Sequence, residues 1–222
     1  MINIALDGPS GAGKSTIARV CADTFGFTYI DTGAMFRSLA LKALRMGINI
    51  KEEEAKIEEM LSCTTLDISR ESDGQHMLLD GEDVTGFIRT PEVSKGASDI
   101  AVIPFVRTWL LKTEREIASK YDCIMDGRDI GTSVLPDAVC KIFLTASAEK
   151  RAERRLKELL EKGIDTNFEK VLEEMKYRDE QDANRTVSPL KMADDAILAD
   201  TSELTLEESI ALVCDIIRKV IS

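Results

Sequence analysis

Gly8-Pro9-Ser10-Gly11-Ala12-Gly13-Lys14-Ser15 matches the spacing G-x-x-x-x-G-K-[ST]. The chemistry this spacing allows is phosphate binding. Its glycines let backbone N–H groups converge on an anion, and a helix starting here adds the positive end of its dipole. Lys14 can neutralise β and γ oxygens, and the Ser15 hydroxyl can ligate Mg²⁺. The implied ligand is a nucleoside triphosphate with magnesium, if the loop follows a strand and opens a helix; a Gly-rich turn with an exposed lysine is what the string means elsewhere.

Two more segments carry charge at useful places, Asp31-Thr32-Gly33-Ala34-Met35-Phe36-Arg37 and Asp126-Gly127-Arg128-Asp129-Ile130-Gly131. A helix start with Arg37 one and a half turns in suits an acceptor phosphate, although an N-cap followed by a solvated arginine has the same pattern. Asp126 ends an apolar run where a carboxylate can face magnesium, with Arg128 and Asp129 directed at the nucleotides; a plain surface turn is the competing account. Arg151, Arg154 and Arg155 fall at i, i+3 and i+4, one helix face that can clamp a phosphoryl group or stand in solvent balanced by Glu149, Glu153 and Glu158. The stripe Phe168, Val171, Leu172, Met175 continues into Arg178, Asp182 and Arg185, so charge replaces apolar side chains along one face. An ordinary i,i+4 ion pair has that spacing too.

The elements that must position these residues follow from periodicity. Ile2–Leu6 reads as a buried strand running into the Gly-rich loop, Lys14–Phe25 as a helix and Phe27–Ile30 as a strand, the opening of a parallel α/β sheet. Helices are expected over 32–46, 52–61, 90–101 and 104–120, core strands at 123–125, 139–144 and 196–199. Between 64 and 84 short runs at Leu66-Asp67-Ile68, Met77-Leu78-Leu79 and Val84, punctuated by Asp73-Gly74 and Asp80-Gly81, predict a three-stranded antiparallel insert. A charged helix over 147–162 ends at Gly163. Capping boxes are expected at Thr166/Glu169 and Thr205/Glu208, the latter opening a last helix with the stripe Leu206, Ile210, Val213, Ile217, Ile221. The organisation is a single domain over 1–222, with the β insert at 62–90 and a lid at 148–166. Its class is α/β, a P-loop NTPase-type parallel sheet core flanked by helices.

Composition narrows the partners. The 222 residues carry 29 Lys and Arg against 40 Asp and Glu, a net charge of −11. Such a field disfavours nucleic acid and anionic membranes, so an anionic ligand needs a local basic pocket. Five scattered cysteines without C-x-x-C and one histidine give no sign of a disulfide framework or a structural zinc site. No signal peptide or membrane span is expected, which points to the cytoplasm. A monomer is the default, since no apolar helix face lacks a core to join. P-loop GTPases need N-K-x-D, which the chain lacks. A small-molecule kinase fits this length, with a P-loop protein that binds ATP without transferring it as the alternative class.

Six strings in order then resemble the bacterial cytidylate kinases, a family of nucleoside monophosphate kinases: Gly8–Lys14, Asp31–Ala34, Leu79-Asp80-Gly81-Glu82-Asp83-Val84, Ile88-Arg89-Thr90-Pro91-Glu92-Val93, Asp126–Gly131 and Asn184-Arg185. The resemblance covers nearly the whole chain. It implies transfer of the γ-phosphoryl group of ATP·Mg²⁺ to CMP or dCMP, with kinases of UMP, dTMP or another metabolite as the runner-up. It places ATP on Gly8, Pro9, Ser10, Gly11, Ala12, Gly13, Lys14, Ser15, Thr16 and Arg151. The acceptor phosphate falls on Thr32 and Arg37, Thr32 standing where many members have Ser. Cytosine falls on Ser98, Arg107 and Asp129, the ribose on Arg178 and Asp182, further phosphate contacts on Arg128 and Arg185. Lys14, Arg128, Arg154 and Arg155 are the implied catalytic groups, with Ser15 and Asp126 toward magnesium.

Overall fold

The computed structural model of the chain describes residues 1–71, 74–161, 163–185 and 187–221. In chain order these form β1 (Asn3–Asp7), α1 (Lys14–Phe25) and β2 (Thr28–Asp31), then α2 (Thr32–Arg45), α3 (Glu54–Ser62), β3 (Leu66–Glu71), β4 (Gly74–Leu79), β5 (Glu82–Asp83), α4 (Pro91–Ile100) and α5 (Pro104–Ala118). After them come β6 (Cys123–Gly127), a π turn (Ile130–Val134), β7 (Cys140–Thr145), α6 (Ala148–Glu161), α7 (Phe168–Ala183), β8 (Ile197–Asp200) and α8 (Leu206–Ile221). Two compact units result, 1–30 with 121–222, and 31–120; the β insert is one part of the second.

In the first unit the sheet order is β2-β6-β1-β7-β8. β1 pairs in parallel with β6 and β7, and β7 with β8. β1 and β6 are apolar and buried on both faces, which is why they read as unbroken apolar runs. Their register sets Asp7 beside Gly127, so the Gly-rich loop and the Arg128 segment leave at the same carboxyl edge. Open parallel sheets bind ligands at that edge, where the chain changes direction about its central strand. On one face, Ile17, Ala18 and Cys21 of α1 share a buried cluster with Val213, Cys214 and Ile217 of α8 and with Ile142 and Leu144 of β7. Leu206, expected in the α8 stripe, is instead 49% exposed at the first helical position.

α6 and α7 carry a small cluster of their own, Ala152, Val171 and Met175 flanked by Leu156, Leu159, Phe168 and Leu172. α6 stops before Gly163, and Lys162, the expected last residue, lies outside the described residues. The cap of α7 differs from expectation. The helix begins at Phe168 and its N-cap is Asn167, whose side chain accepts the Lys170 N–H at 2.9 Å, so the Thr166/Glu169 box does not form. Asn caps at least as well as Thr, and the start slides one residue to use it. The Thr205/Glu208 box does form, each residue bonding the other's backbone N–H.

In the second unit β3 and β4 pair antiparallel from Leu66↔Leu79 through Ile68↔Met77, and β5 joins at Leu79↔Glu82. Asp80 closes that turn by bonding Thr65 through backbone and side chain. Val84, expected in the third strand, follows it; Val84 is buried and its N–H bonds the Met77 carbonyl. Asp73 of the other turn lies outside the described residues. α2 packs on α4, and α3 on α5. Among the described residues no helix is long and apolar enough to cross a membrane.

The cap assignment is directly testable. Asn167→Ala should cost about 1 kcal/mol in thermal or urea unfolding, and Thr166→Ala close to nothing; equal losses would restore the Thr166 box.

Candidate active site

Gly8 begins the loop at φ 148°, and a Cβ there would lie 1.9 Å from the Leu144 carbonyl oxygen, so only glycine lets β1 turn against β7. The turn delivers Gly13 as N-cap of α1, with no side chain capping it, so the first-turn N–H groups point to a ligand position. Thr16 stands exposed on this turn. Lys14 is buried, and its Nζ donates to the Pro9 carbonyl at 2.8 Å. Burial, then the Arg128 charge, pulls its pKa well below the ordinary lysine range, against Asp126, Asp7 and Asp182. A phosphate beside it would favour the charged form.

Ser15 Oγ donates to Asp126 Oδ2 at 2.8 Å, and the Tyr29 hydroxyl to Asp126 Oδ1 at 3.0 Å. A hydroxyl and a carboxylate side by side are hard oxygen donors and fit Mg²⁺, which takes one or two protein oxygens and fills its octahedron with phosphate and water. Sequence reading missed Tyr29, whose bond spans 97 residues.

Arg128 donates from Nε to Asp182 Oδ2 at 2.8 Å, and Arg185 pairs with Asp182 Oδ1. Burial alone would raise the Asp182 pKa; the guanidiniums of Arg128 and Arg185 outweigh it and hold the carboxyl below its usual range. Three of the expected residues thus form one network. Arg178, by contrast, is exposed. The inward stripe runs from Met175 through Asp179 to Asp182, and Asp179 is the residue the spacing argument passed over.

Asp179 holds Arg151 at 2.7 Å. Arg151, buried, also donates from NH1 to the Ser10 carbonyl and from Nε to the Ala146 carbonyl, each at 2.9 Å. Arg151, Arg154 and Arg155 share an arc of α6, as expected, but their side chains reach different partners. On a helix Arg154 and Arg155 lie about 60° and about 40° to opposite sides of Arg151, and their long side chains splay apart. Arg154 bonds the Thr201 carbonyl at 2.6 Å, and Arg155 pairs with Glu158 at 2.7 Å.

Asp7, also missed, ends β1 just before the loop. Its carboxylate accepts the N–H groups of Ile130 at 2.8 Å and Gly131 at 2.7 Å, which fixes the chain directly after Asp129. A Cβ on Gly131 would come within 3.2 Å of the Lys141 side chain and 3.3 Å of Asp7, so a side chain there would make both give by a few tenths of an ångström. Burial raises the Asp7 pKa to about 6 against its two backbone donors. Asp129 itself is buried.

The remaining expected residues belong to the second unit. Asp31 caps α2 by accepting the Ala34 N–H and pairs with Arg37 at 2.8 Å and with Arg89 at 3.6 Å. Thr32 is the buried first residue of that helix. Arg37 Nε is buried with no acceptor among the described residues, a donor left for a ligand oxygen. Arg107 is buried, donates to the Ala101 carbonyl and sits 5.5 Å over the Phe36 ring. Ser98 lies exposed on α4, its hydroxyl on the Ser94 carbonyl. Arg89 and Phe36 stood inside the Ile88–Val93 and Asp31–Arg37 strings, but nothing in their spacing singled them out.

The family model described as cytidylate kinase matches residues 4–219. This chain belongs to that family. The cytidylate kinase of Caldicellulosiruptor saccharolyticus is 50% identical over 220 residues, covering 99% of this chain and 97% of that protein. The cytidylate kinase of Clostridium botulinum is 45% identical over 218 residues and 98% of each chain. A crystal structure of an uncharacterized protein from Eubacterium ventriosum superposes with TM-score 0.54 at 12% identity, covering 100% of this chain and 99% of that one; it shows the shared fold. In this cytidylate kinase family member the phosphate loop, the Ser15–Asp126 pair and the Asp182 network all sit on one unit.

Asp7 yields a pH prediction. Unfolded, its carboxyl releases its proton near the ordinary aspartate value of 3.8; folded, near 6. Between these values the folded chain holds the extra proton, so the Asp7 contribution to stability falls as pH rises through the window, by about 3 kcal/mol at most. The stability difference between wild type and Asp7→Asn, measured by urea unfolding from pH 4 to 7, should shift by an amount of that order; a constant difference would remove Asp7 as the titrating group.

Proposed function

We propose that the chain transfers the γ-phosphoryl group of ATP to the phosphate of CMP or dCMP, giving ADP and CDP or dCDP. The observation that carries this reading is Lys14, a buried ammonium held in the Gly8–Ser15 loop beside Ser15 and Asp126, in a chain of the cytidylate kinase family. The backbone of Gly8, Pro9, Ser10, Gly11, Ala12 and Gly13, with Lys14 and Thr16, cradles the ATP phosphates. Arg151 holds the loop through the Ser10 carbonyl. Ser15 and Asp126 would hold Mg²⁺ directly or by water, and the ion would supply charge neutralisation on the transferring phosphate.

Thr32 and Arg37 take the acceptor phosphate, with Arg128 and Arg185 adding charge. Asp129 accepts from the cytosine N4 amino group, Arg107 donates to O2 and N3, and Ser98 completes the base contacts. Asp182 and Arg178 meet the ribose. The acceptor oxygen is ionised at neutral pH, so no general base is required. His76, the chain's one histidine, is accordingly outside the reaction: it bonds Asp83 at 2.6 Å in the β insert. Catalysis is positioning and charge stabilisation by Lys14 and the arginines. A part for Arg154 and Arg155 in clamping the phosphoryl group requires each to leave its present partner.

ADP release from Mg·ATP, with CMP, dCMP, UMP, AMP, GMP or dTMP added singly, tests the assignment. Fast turnover is expected with CMP and dCMP; turnover with none would leave an ATP-binding protein, and preference for another acceptor would reassign the base contacts. Lys14→Ala should lower kcat by at least a hundredfold, and near-normal turnover would sink the mechanism. Arg154→Ala and Arg155→Ala separate clamp from scaffold: unchanged kcat in both removes these arginines from catalysis.

A further inference from the structure

Cys21 and Cys214 lie 193 positions apart in sequence, and the fold of the first unit brings their sulfurs to 3.1 Å. Cys21 sits on α1, the helix that opens with Lys14, and Cys214 on α8, the last helix. Both belong to the buried cluster under the sheet, with Cys21 fully enclosed and Cys214 7% exposed. Cys140, on β7, belongs to the same cluster, but the 3.1 Å sulfur pair is Cys21 with Cys214. Cys63 is exposed, with its sulfur on the Met60 carbonyl, and Cys123 donates to Asn3 Oδ1. A disulfide has an S–S distance of about 2.05 Å, so the pair stands about 1 Å short of bonding.

We propose that Cys21 and Cys214 are a disulfide-forming site, closed by a hydroperoxide, that staples the phosphate-loop helix to the C-terminal helix. Cys214, the more accessible, meets the oxidant: its sulfur takes one oxygen from the hydroperoxide, which leaves as the alcohol (water, for hydrogen peroxide), and becomes a sulfenic acid. Cys21 attacks that sulfur, the S–S bond forms, the S–O bond breaks, and the released hydroxide takes the Cys21 proton as water. Two thiols and one hydroperoxide give one disulfide, one alcohol and one water. Burial, then the bond to Cys214, pushes the Cys21 thiol far up, so little thiolate forms there and its attack relies on the two sulfurs already standing side by side. A cross-link over so long a stretch restricts the unfolded chain strongly and stabilises the fold.

The test uses the full chain with Cys63→Ser, which removes the exposed thiol and leaves four of the five cysteines. The folded protein is treated with hydrogen peroxide, denatured, alkylated and weighed, with peptide mapping of any cross-link. The expected result is two alkylatable thiols in place of four, a Cys21–Cys214 peptide, and a thermal midpoint that rises and returns on reduction. Cys214→Ser added to this background should keep its three thiols and its midpoint. Four thiols after treatment, a sulfinic acid at Cys214 with Cys21 still free, or a cross-link mapped to another pair would overturn the proposal. The mapping needs no second variant, so a poorly folding Cys214→Ser does not blunt it.

Discussion

An ammonium group buried at the end of a central strand is expensive, and much of the first unit can be read as the means of keeping Lys14 there. Removing a charge from water costs several kcal/mol unless dipoles and counter-charges replace the solvent. The Pro9 carbonyl accepts a hydrogen bond from it, while Asp126, Asp7 and Asp182 supply negative potential. Each carboxylate is itself held, Asp126 by Ser15 and Tyr29, Asp7 by two backbone N–H groups, Asp182 by two arginines. The result is a site whose charge balance is left open toward an anion.

This arrangement explains why an acidic chain can serve as an anion binder. The net charge of −11 is spread over exposed helix faces such as those of α3 and α7, where water screens it. Arg107 and Arg151, two of the arginines proposed to meet the nucleotides, are buried and held by carbonyl oxygens, Arg151 by a carboxylate as well. A guanidinium oriented in this way loses little further freedom on meeting a phosphate or base.

What could be read from sequence was what is local. The Gly8–Ser15 loop, the α1 limits and the β insert rest on spacings within a dozen residues, where glycine sterics and apolar periodicity act directly. The expected ends of α7 and β5 slipped because neighbouring residues offered equally good solutions, Asn167 for Thr166 and a short edge for Val84. Asp7 and Tyr29 were invisible because their partners lie 123 and 97 residues away. Asp179 was within reach, since it continues the Met175–Asp182 face; the stripe argument chose Arg178 one residue too early. Arg154 and Arg155 show the reverse error, where a shared arc on the helix concealed opposite destinations for flexible side chains.

The small cluster between α6 and α7 carries a consequence for the order in which the molecule comes apart. Ala152, Val171 and Met175 form a core separate from the one beneath the sheet, and the hairpin around them is largely charged. Segments with few buried contacts open as cooperative pieces well below the global unfolding free energy. The Met175 methyl group stands where a side chain on Gly11 would be, and Arg151 of the same hairpin bonds the Ser10 carbonyl. Each excursion of this foldon therefore loosens the phosphate loop, and amide exchange at Gly8 and in residues 10–13 should share the time course of the hairpin while β1 and β6 stay closed.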